Sequence, residues 1–505
     1  MSDATPPDRP NVVLVVMDTA RAADTWPLLD DGGVSDGAGL ARLAARGTTY
    51  RSATANAPWT VPSHGTLFSG VHPSVHGAHA DHTAFEYDPT LAGVLADAGY
   101  RTLAVSNNTW ISDEFGYGRG FEEFVSTWQL FQDGVDFGQV ARTESGALNK
   151  LRGVARKFSG NPVKNLANLV YGQFFRKRND DGAARTNDII ADRLPELAAA
   201  EPFFLFVNYL EPHLEYRPPA AIAREYLPED LSFEEAMTVN QDAWAYITGE
   251  VEMTDREFEA LHALYRAELD YLDRRIDELL DAFADAGVLE ETVFVVVGDH
   301  GENVGNHGLM DHQYSLHETL LHVPMILSGP GLGDGRTVDR PVQLLDVFPT
   351  LLDLASIDDR PKYTGESLLD GVPTDRALYA EYLAPQPAVE TLRERYDCRR
   401  DVDRYDRRLW AVRRDGAKRV HGSDGNQWAF DLERDPGETT NLLDGDDPSD
   451  DPGAGDDPDD GTRAETVAEL GEMLEEWVAS RPSLDASKVN VDDATQDRLE
   501  DLGYL

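Results

Sequence analysis

The chain has 505 residues, 41% of them hydrophobic, which is enough to bury a large core in two or three domains. Asp and Glu total 92 against 45 Lys and Arg, a formal net charge of −47, so the surface repels nucleic acid and argues against a polyanion-binding body. Only seven of the basic residues are Lys; an acidic, arginine-biased surface suits solubility in concentrated salt, where screening acts over about 3 Å at 1 M, and the expected setting is a halophilic cytoplasm.

A single cysteine, Cys398, leaves no intramolecular disulfide framework and no cysteine metal cluster within one chain. The opening MSDATPPDRP has no basic n-region, and no apolar run reaches membrane-spanning length, so a soluble cytoplasmic protein is expected.

In chain order, Asn11 to Met17 (NVVLVVM) is continuously apolar and β-branched, as in a strand buried on both faces of a parallel sheet. It ends at Asp18, either a helix cap or a metal ligand at the carboxyl edge of a sheet, where open α/β folds place their sites. Leu40 to Arg46 reads as a helix. The stretch Asn56 to Gly70 (NAPWTVPSHGTLFSG) then sets Thr60 as the N-cap of a short helix, with Pro62 in its first turn and Gly70 as its stop. A helix N-terminus carries partial positive charge and free N–H donors, so an anion can sit where Thr60 points. His72, His76, His79 and His82 follow in a loop, and His76 is expected to approach the site.

Thr90 to Ala98 reads as a helix, Arg101 to Val105 as a strand followed by Asn107 and Asn108, and Phe203 to Val207 as a strand followed by Asn208 and, in a proline-rich loop, His213. Asp255 to Ala286 has apolar residues at helical spacing and reads as a long packing helix. Thr292 to Val297 repeats the all-apolar strand signature and runs into GDHGENVGNHGLMDH, which carries Asp299, His300, His307 and His312. A carboxylate and an imidazole directly after a buried strand suit one divalent cation, Mn²⁺, Zn²⁺ or Mg²⁺, or Ca²⁺ if oxygen ligands dominate. Val323 to Leu327 reads as a further strand and Gln343 to Leu354 as a helix.

From about Asp375, short strands with turns between them predict a small antiparallel subdomain. Asp444 to Asp460 contains nine Asp among Gly, Pro, Ser and Ala and cannot bury a core, and Thr466 to Ser480 reads as an amphipathic helix folding back on the body. The expected division is a catalytic domain over 9–372, a C-terminal subdomain over 373–443, a disordered acidic linker over 444–463 and a C-terminal helical segment over 464–505. Lys150 to Arg178 has eight basic residues and no acid; it reads as an exposed insertion, a lid over an anionic substrate, or a patch for peripheral contact with an anionic membrane.

Four strands thus end in polar groups, and PNVVLVVMDTAR, TVPSHGTLFSG, GDHGENVGNHG and FDLERDPGETTNL, in that order over residues 9–443, resemble the sulfatase family of the alkaline phosphatase superfamily. The resemblance implies an α/β three-layer sandwich with a central, mostly parallel sheet, plus a small C-terminal antiparallel α+β subdomain. It implies Asp18, Thr60, Asp299 and His300 as metal ligands, with Thr60 also at the nucleophile position. His213 and His312 fall near positions that contact the ester or protonate the leaving oxygen, and His64, Asn107 and Asn108 near the substrate. Sulfatases have Cys or Ser at the nucleophile position, oxidised to formylglycine, with Arg where His64 stands here. Thr60 and the missing Arg argue against formylglycine, and Thr19 replaces a second Asp.

The remaining set is similar to the lipoteichoic acid synthase-like relatives, which use an unmodified Thr. The expected activity is metal-dependent hydrolysis of sulfate or phosphate esters, phosphodiesters included. The alternatives are transfer of a phosphoryl-alcohol group to a glycan or lipid, and a noncatalytic binding protein that keeps the fold.

Overall fold

The computed structural model describes residues 9–30, 39–127, 182–200, 202–333, 335–369, 371–444 and 459–482. The basic segment 150–178, residues 445–458 of the acidic stretch and residues 483–505 lie outside the described residues.

The strands are β1 (Asn11–Met17), β2 (Gly47–Thr54), β3 (Arg101–Ser106), β4 (Glu123–Ser126), β5 (Phe203–Tyr209), β6 (Thr292–Gly298), β7 (Asn303–Val304), β8 (Met310–Asp311), β9 (His322–Ser328), β10 (Arg336–Val338), β11 (Val342–Gln343), β12 (Leu378–Tyr382), β13 (Leu409–Arg414), β14 (Ala417–Gly422) and β15 (Gln427–Asp431). The main sheet has the order β10-β2-β9-β6-β1-β5-β3-β4, with β11 paired to β2. β1 pairs in parallel with both β5 and β6, Val13 lying opposite Leu205 and Phe294. β9 is antiparallel to both of its neighbours, β2 and β6, and the other pairings in this sheet are parallel. Every residue of β1, β5 and β6 is buried, which is why their sequences lack the alternation of a half-solvated strand.

The helix Asp255–Asp285 opens with a Thr254/Glu257 capping box and buries Leu261, Leu264, Leu272, Ile276, Leu280 and Phe283 along one stripe. From this helix the Tyr265 hydroxyl donates to Thr19 O (2.8 Å) and accepts from Arg21 N (2.9 Å), so the packing helix fixes the turn after β1. The small sheet β12-β13-β14-β15 is antiparallel, and Val467, Leu470 and Leu474 of the helix Asp459–Ala479 pack on its Val412, Ala417 and Ala429. Among the described residues no helix is long and apolar enough to cross a membrane.

The segment read as one helix from Gln343 instead pairs Val342–Gln343 with β2, passes through a 3₁₀ turn at Leu344–Asp346, and becomes helical at Val347. The reason lies in Asn56, whose Nδ2 donates to Gln343 Oε1 and Tyr379 O and whose Oδ1 accepts from Leu345 N. With Glu381 N donating to its carbonyl, Asn56 ties the loop before Thr60 to both sheets.

Candidate active site

Because β1, β3, β5, β6 and β2 run in one direction, the residues at and beyond their carboxyl ends gather at one edge. Asp18, Asn108, Asn208, Asp299 and Thr60 meet there. Thr60 begins the helix Thr60–Ser69; Trp59, with extended backbone (φ −151°, ψ 165°), is the N-cap and makes no side-chain cap bond. Thr60 is therefore the first helical residue rather than the N-cap. Its Oγ1 lies 3.2 Å from His300 Nε2, at the positive end of the helix. The Ser63 hydroxyl donates to Asp299 O and Tyr117 OH to Val61 O, fixing the first turn against the sheet edge. Gly70 closes the helix in the left-handed region (φ 67°).

Asp18, Asp299 and His300 are fully buried, and one ligand atom from each lies within 4.8 Å of the others. Asn108 Nδ2 donates to Asp18 Oδ2, whereas Asp18 Oδ1 accepts no hydrogen bond. Asp299 Oδ1 accepts from His300 N (2.9 Å) and Thr19 N (3.2 Å), and its Oδ2 accepts none. His300 Nδ1 lies 2.9 Å from Gly301 O; with the proton on Nδ1 this contact is a hydrogen bond, and Nε2 is left with its lone pair toward the cluster. Burial raises the Asp18 carboxyl. Burial and the neighbouring Asp18 push Asp299 well above the usual carboxylate range. Burial likewise drives His300 well below the usual imidazole range. Two buried carboxylate oxygens without donors, an imidazole nitrogen and a hydroxyl form a mixed oxygen and nitrogen set that fits one divalent cation.

His64, expected against the ester, is fully buried beneath the nucleophile. Its Nδ1 lies 3.0 Å from Thr60 O and 3.3 Å from Asp299 Oδ2, and Asn208 Nδ2 lies 3.2 Å from its Nε2. Burial lowers its pKa to about 3, so it is a neutral ring supporting Thr60 and Asp299. Asn107 is also placed away from that role: its N donates to Asn208 O and its Oδ1 accepts from Thr127 Oγ1, so it joins strand ends. Asn108 holds Asp18.

His76 packs against the Thr60 helix instead of the site, its Nε2 lying 3.1 Å from Pro62 O and 3.3 Å from Thr66 Oγ1. A Cβ at Gly65 would come within 2.5 Å of that ring, which is why position 65 has no side chain. His307 stacks on His317 at 3.6 Å, beside Glu438.

His213 and His312 do converge on the site. Their ring centroids are 5.1 Å apart, and that of His312 is 4.5 Å from His300. The β7–β8 hairpin, with Asn303 opposite Asp311, brings Asp311 Oδ1 to 2.5 Å and Glu302 Oε1 to 3.6 Å from His312 Nδ1. Burial opposes a charge on His312, but these two carboxylates outweigh it and hold the imidazole well above its usual range. Sequence reasoning missed Glu302, Asp311 and Arg21, whose Nη1 lies 3.4 Å from Glu302 O. The available signal was the pair of acids inside GDHGENVGNHGLMDH.

The sequence profile described as Sulfatase matches residues 10–357. An arylsulfatase of Clostridium perfringens is 23% identical over 468 residues, 86% of this chain and 90% of its own. A choline-sulfatase of Rhizobium meliloti is 24% identical over 464 residues, 86% of this chain and 82% of its own. Among solved structures, a phosphonate monoester hydrolase from Silicibacter pomeroyi superposes with a TM-score of 0.66 at 19% identity, covering 95% of this chain and 97% of the other. The profile match spans both halves of the cleft, from Asp18 and Thr60 to Asp299, His300 and His312, and the chain belongs to the Sulfatase family of ester hydrolases.

Proposed function

We propose that this chain hydrolyses a phosphate ester, with the unmodified hydroxyl of Thr60 as nucleophile and a divalent cation held by Asp18, Asp299 and His300. The observation that carries this reading is the position of Thr60 Oγ1, 3.2 Å from His300 Nε2 and beside two buried carboxylate oxygens that accept no hydrogen bond. A divalent cation bound there supplies Lewis acidity, favouring ionisation of a neighbouring hydroxyl and offsetting charge on the ester.

The chain's own residues account for the remaining needs. Asn108 orients Asp18, the Gly301 carbonyl orients His300, and neutral His64 holds the Thr60 carbonyl, its ring lying 3.3 Å from Asp299 Oδ2. The N-terminus of the Thr60–Ser69 helix lies beside the nucleophile, where its partial positive charge would offset negative charge developing on the nonbridging oxygens. His213 and His312 flank the ester, and one of them returns a proton to the leaving alcohol. Attack by Thr60 forms an enzyme ester, and water releases it. Oxidation of a threonine side chain would give a ketone and not the aldehyde of formylglycine, so the nucleophile in this reading is the unmodified hydroxyl.

Rates on matched aryl sulfate, aryl phosphate monoester and aryl phosphodiester substrates, with Thr60→Ala as control, test the reading. A phosphoester is expected to be the best substrate, and Thr60→Ala to lose at least ~1,000-fold in kcat. A sulfate preference, or a Thr60→Ala enzyme with undiminished kcat, contradicts it.

A further inference from the structure

Beside the Asp18, Asp299 and His300 cluster lies a second one, whose two carboxylates take no direct part in the chemistry proposed for Thr60. Glu302, Asp311 and His312 each contribute a ligand atom, all within 4.8 Å of one another, and all three residues are buried. Glu302 has no exposed surface, and neither of its carboxylate oxygens accepts a hydrogen bond. Arg21 is close, but its Nη1 reaches the backbone carbonyl of Glu302 and Asn306 Oδ1, and its Nε pairs with Asp24. A desolvated carboxylate left in this way is costly unless a cation meets it.

The charge of the whole cleft leads to the same conclusion. Four buried carboxylates (Asp18, Asp299, Glu302 and Asp311) stand around His300 and His312, whose ring centroids are 4.5 Å apart. One divalent cation between Asp18 and Asp299 balances two of the four charges. A proton on His312 balances at most one of the other two, and its Nδ1 lies against Asp311 Oδ1 at 2.5 Å, with Glu302 Oε1 further off at 3.6 Å.

We propose that Glu302, Asp311 and His312 form a second divalent-cation site, making the cleft a two-cation centre. This rests on the reading of Asp18, Asp299 and His300 as the first cation site. Two carboxylates and one imidazole form a mixed oxygen and nitrogen set suited to Mn²⁺ or Zn²⁺. Two cations side by side favour a doubly charged phosphate monoester over a singly charged sulfate ester, because the second charge gains an attraction that sulfate does not carry. With His312 occupied as a ligand, His213 is the ring left to serve the leaving oxygen.

The test is a count of Mn²⁺ on the full-length protein after chelation, by calorimetric titration at fixed high salt and by Mn anomalous difference maps from soaked crystals. Wild type is expected to bind two ions per chain, one at each cluster. Glu302→Gln is expected to keep the ion at Asp18, Asp299 and His300, which reports that the variant is folded, and to lose at least ~10-fold in affinity at the second cluster. A wild type that saturates with one ion, at the first cluster, overturns the second site and leaves the proposed function standing. Binding of no ion overturns both.

Discussion

Asp299→Asn should reverse its effect on stability depending on whether cation is present. The amide keeps Oδ1 as the acceptor for Thr19 N and His300 N, and its Nδ2 takes the place of Oδ2, 3.3 Å from His300 Nε2, which can accept from it. The substitution therefore removes a charge, although the second N–H of the amide faces the protonated Nδ1 of His64 at 3.3 Å and offsets part of the gain. Asp18 and Asp299 oxygens lie within 4.8 Å, a repulsion of about 3–4 kcal/mol at an effective dielectric of 20. The pair can relieve part of this by taking up a proton, since burial and Asp18 push the Asp299 carboxyl well up, so that figure is a ceiling. In chelator at fixed high salt, Asp299→Asn should thus be more stable than wild type by up to about 3 kcal/mol. With cation at about 1,000 times its Kd, wild type should gain about 4 kcal/mol and the variant almost none. Denaturant melts followed by circular dichroism, with and without Mn²⁺, measure all four values. A wild type indifferent to chelation, with Asp299→Asn less stable in both conditions, would mean that the cluster is an ordinary buried polar network.

Other residues give independent checks. Asn108→Ala should leave the fold intact and weaken Mn²⁺ binding about 10–100-fold, measured by calorimetry, because Asp18 Oδ2 loses the donor that orients it. Asp273, which accepts from Leu40 N, has its carboxyl raised by burial to about 7. Its contribution to stability is complete below about pH 4 and is lost as pH rises through 7, so Asp273→Asn should gain on wild type between pH 4 and 8, by at most about 4 kcal/mol in paired melts. Lys418 is buried between Glu318 (2.9 Å) and Glu438 (2.8 Å) where the small sheet meets the body. Lys418→Met leaves both carboxylates without that partner and should cost about 3–5 kcal/mol in the same assay.

The residues read most clearly from sequence were those whose neighbours are uniform. β1, β5 and β6 are buried along their whole length and carry continuous apolar runs, and the polar residues at their carboxyl ends, Asp18, Asn208 and Asp299, mark the site edge. β2 (GTTYRSAT) and β4 (EFVS) mix polar with apolar residues and gave no such signal. The β7–β8 hairpin has two residues per strand, too few for any period, so the approach of Glu302 and Asp311 to His312 became visible only with the chain folded. His64 misled because its type suits an ester contact, whereas its burial on the inner face of the Thr60–Ser69 helix is set by Asn208, Phe206 and Tyr117, which are far from it in sequence. The cap at Trp59 was hidden for a related reason. The extended backbone there is imposed by the loop that Asn56 ties to both sheets, while a hydroxyl residue one position later looked like the cap.

In the proposed function Thr60 attacks the ester as an unmodified side chain. Peptide mass spectrometry of wild-type enzyme, acid-quenched during turnover of an aryl phosphate ester, tests it directly. The peptide spanning Thr60 is expected to have the unmodified sequence mass at rest, to gain one phosphoryl or phosphoryl-alcohol group in the quenched sample, and to gain nothing in Thr60→Ala. An altered mass at Thr60 in the resting enzyme, or turnover that persists at the wild-type rate in Thr60→Ala with no labelled peptide, would contradict it.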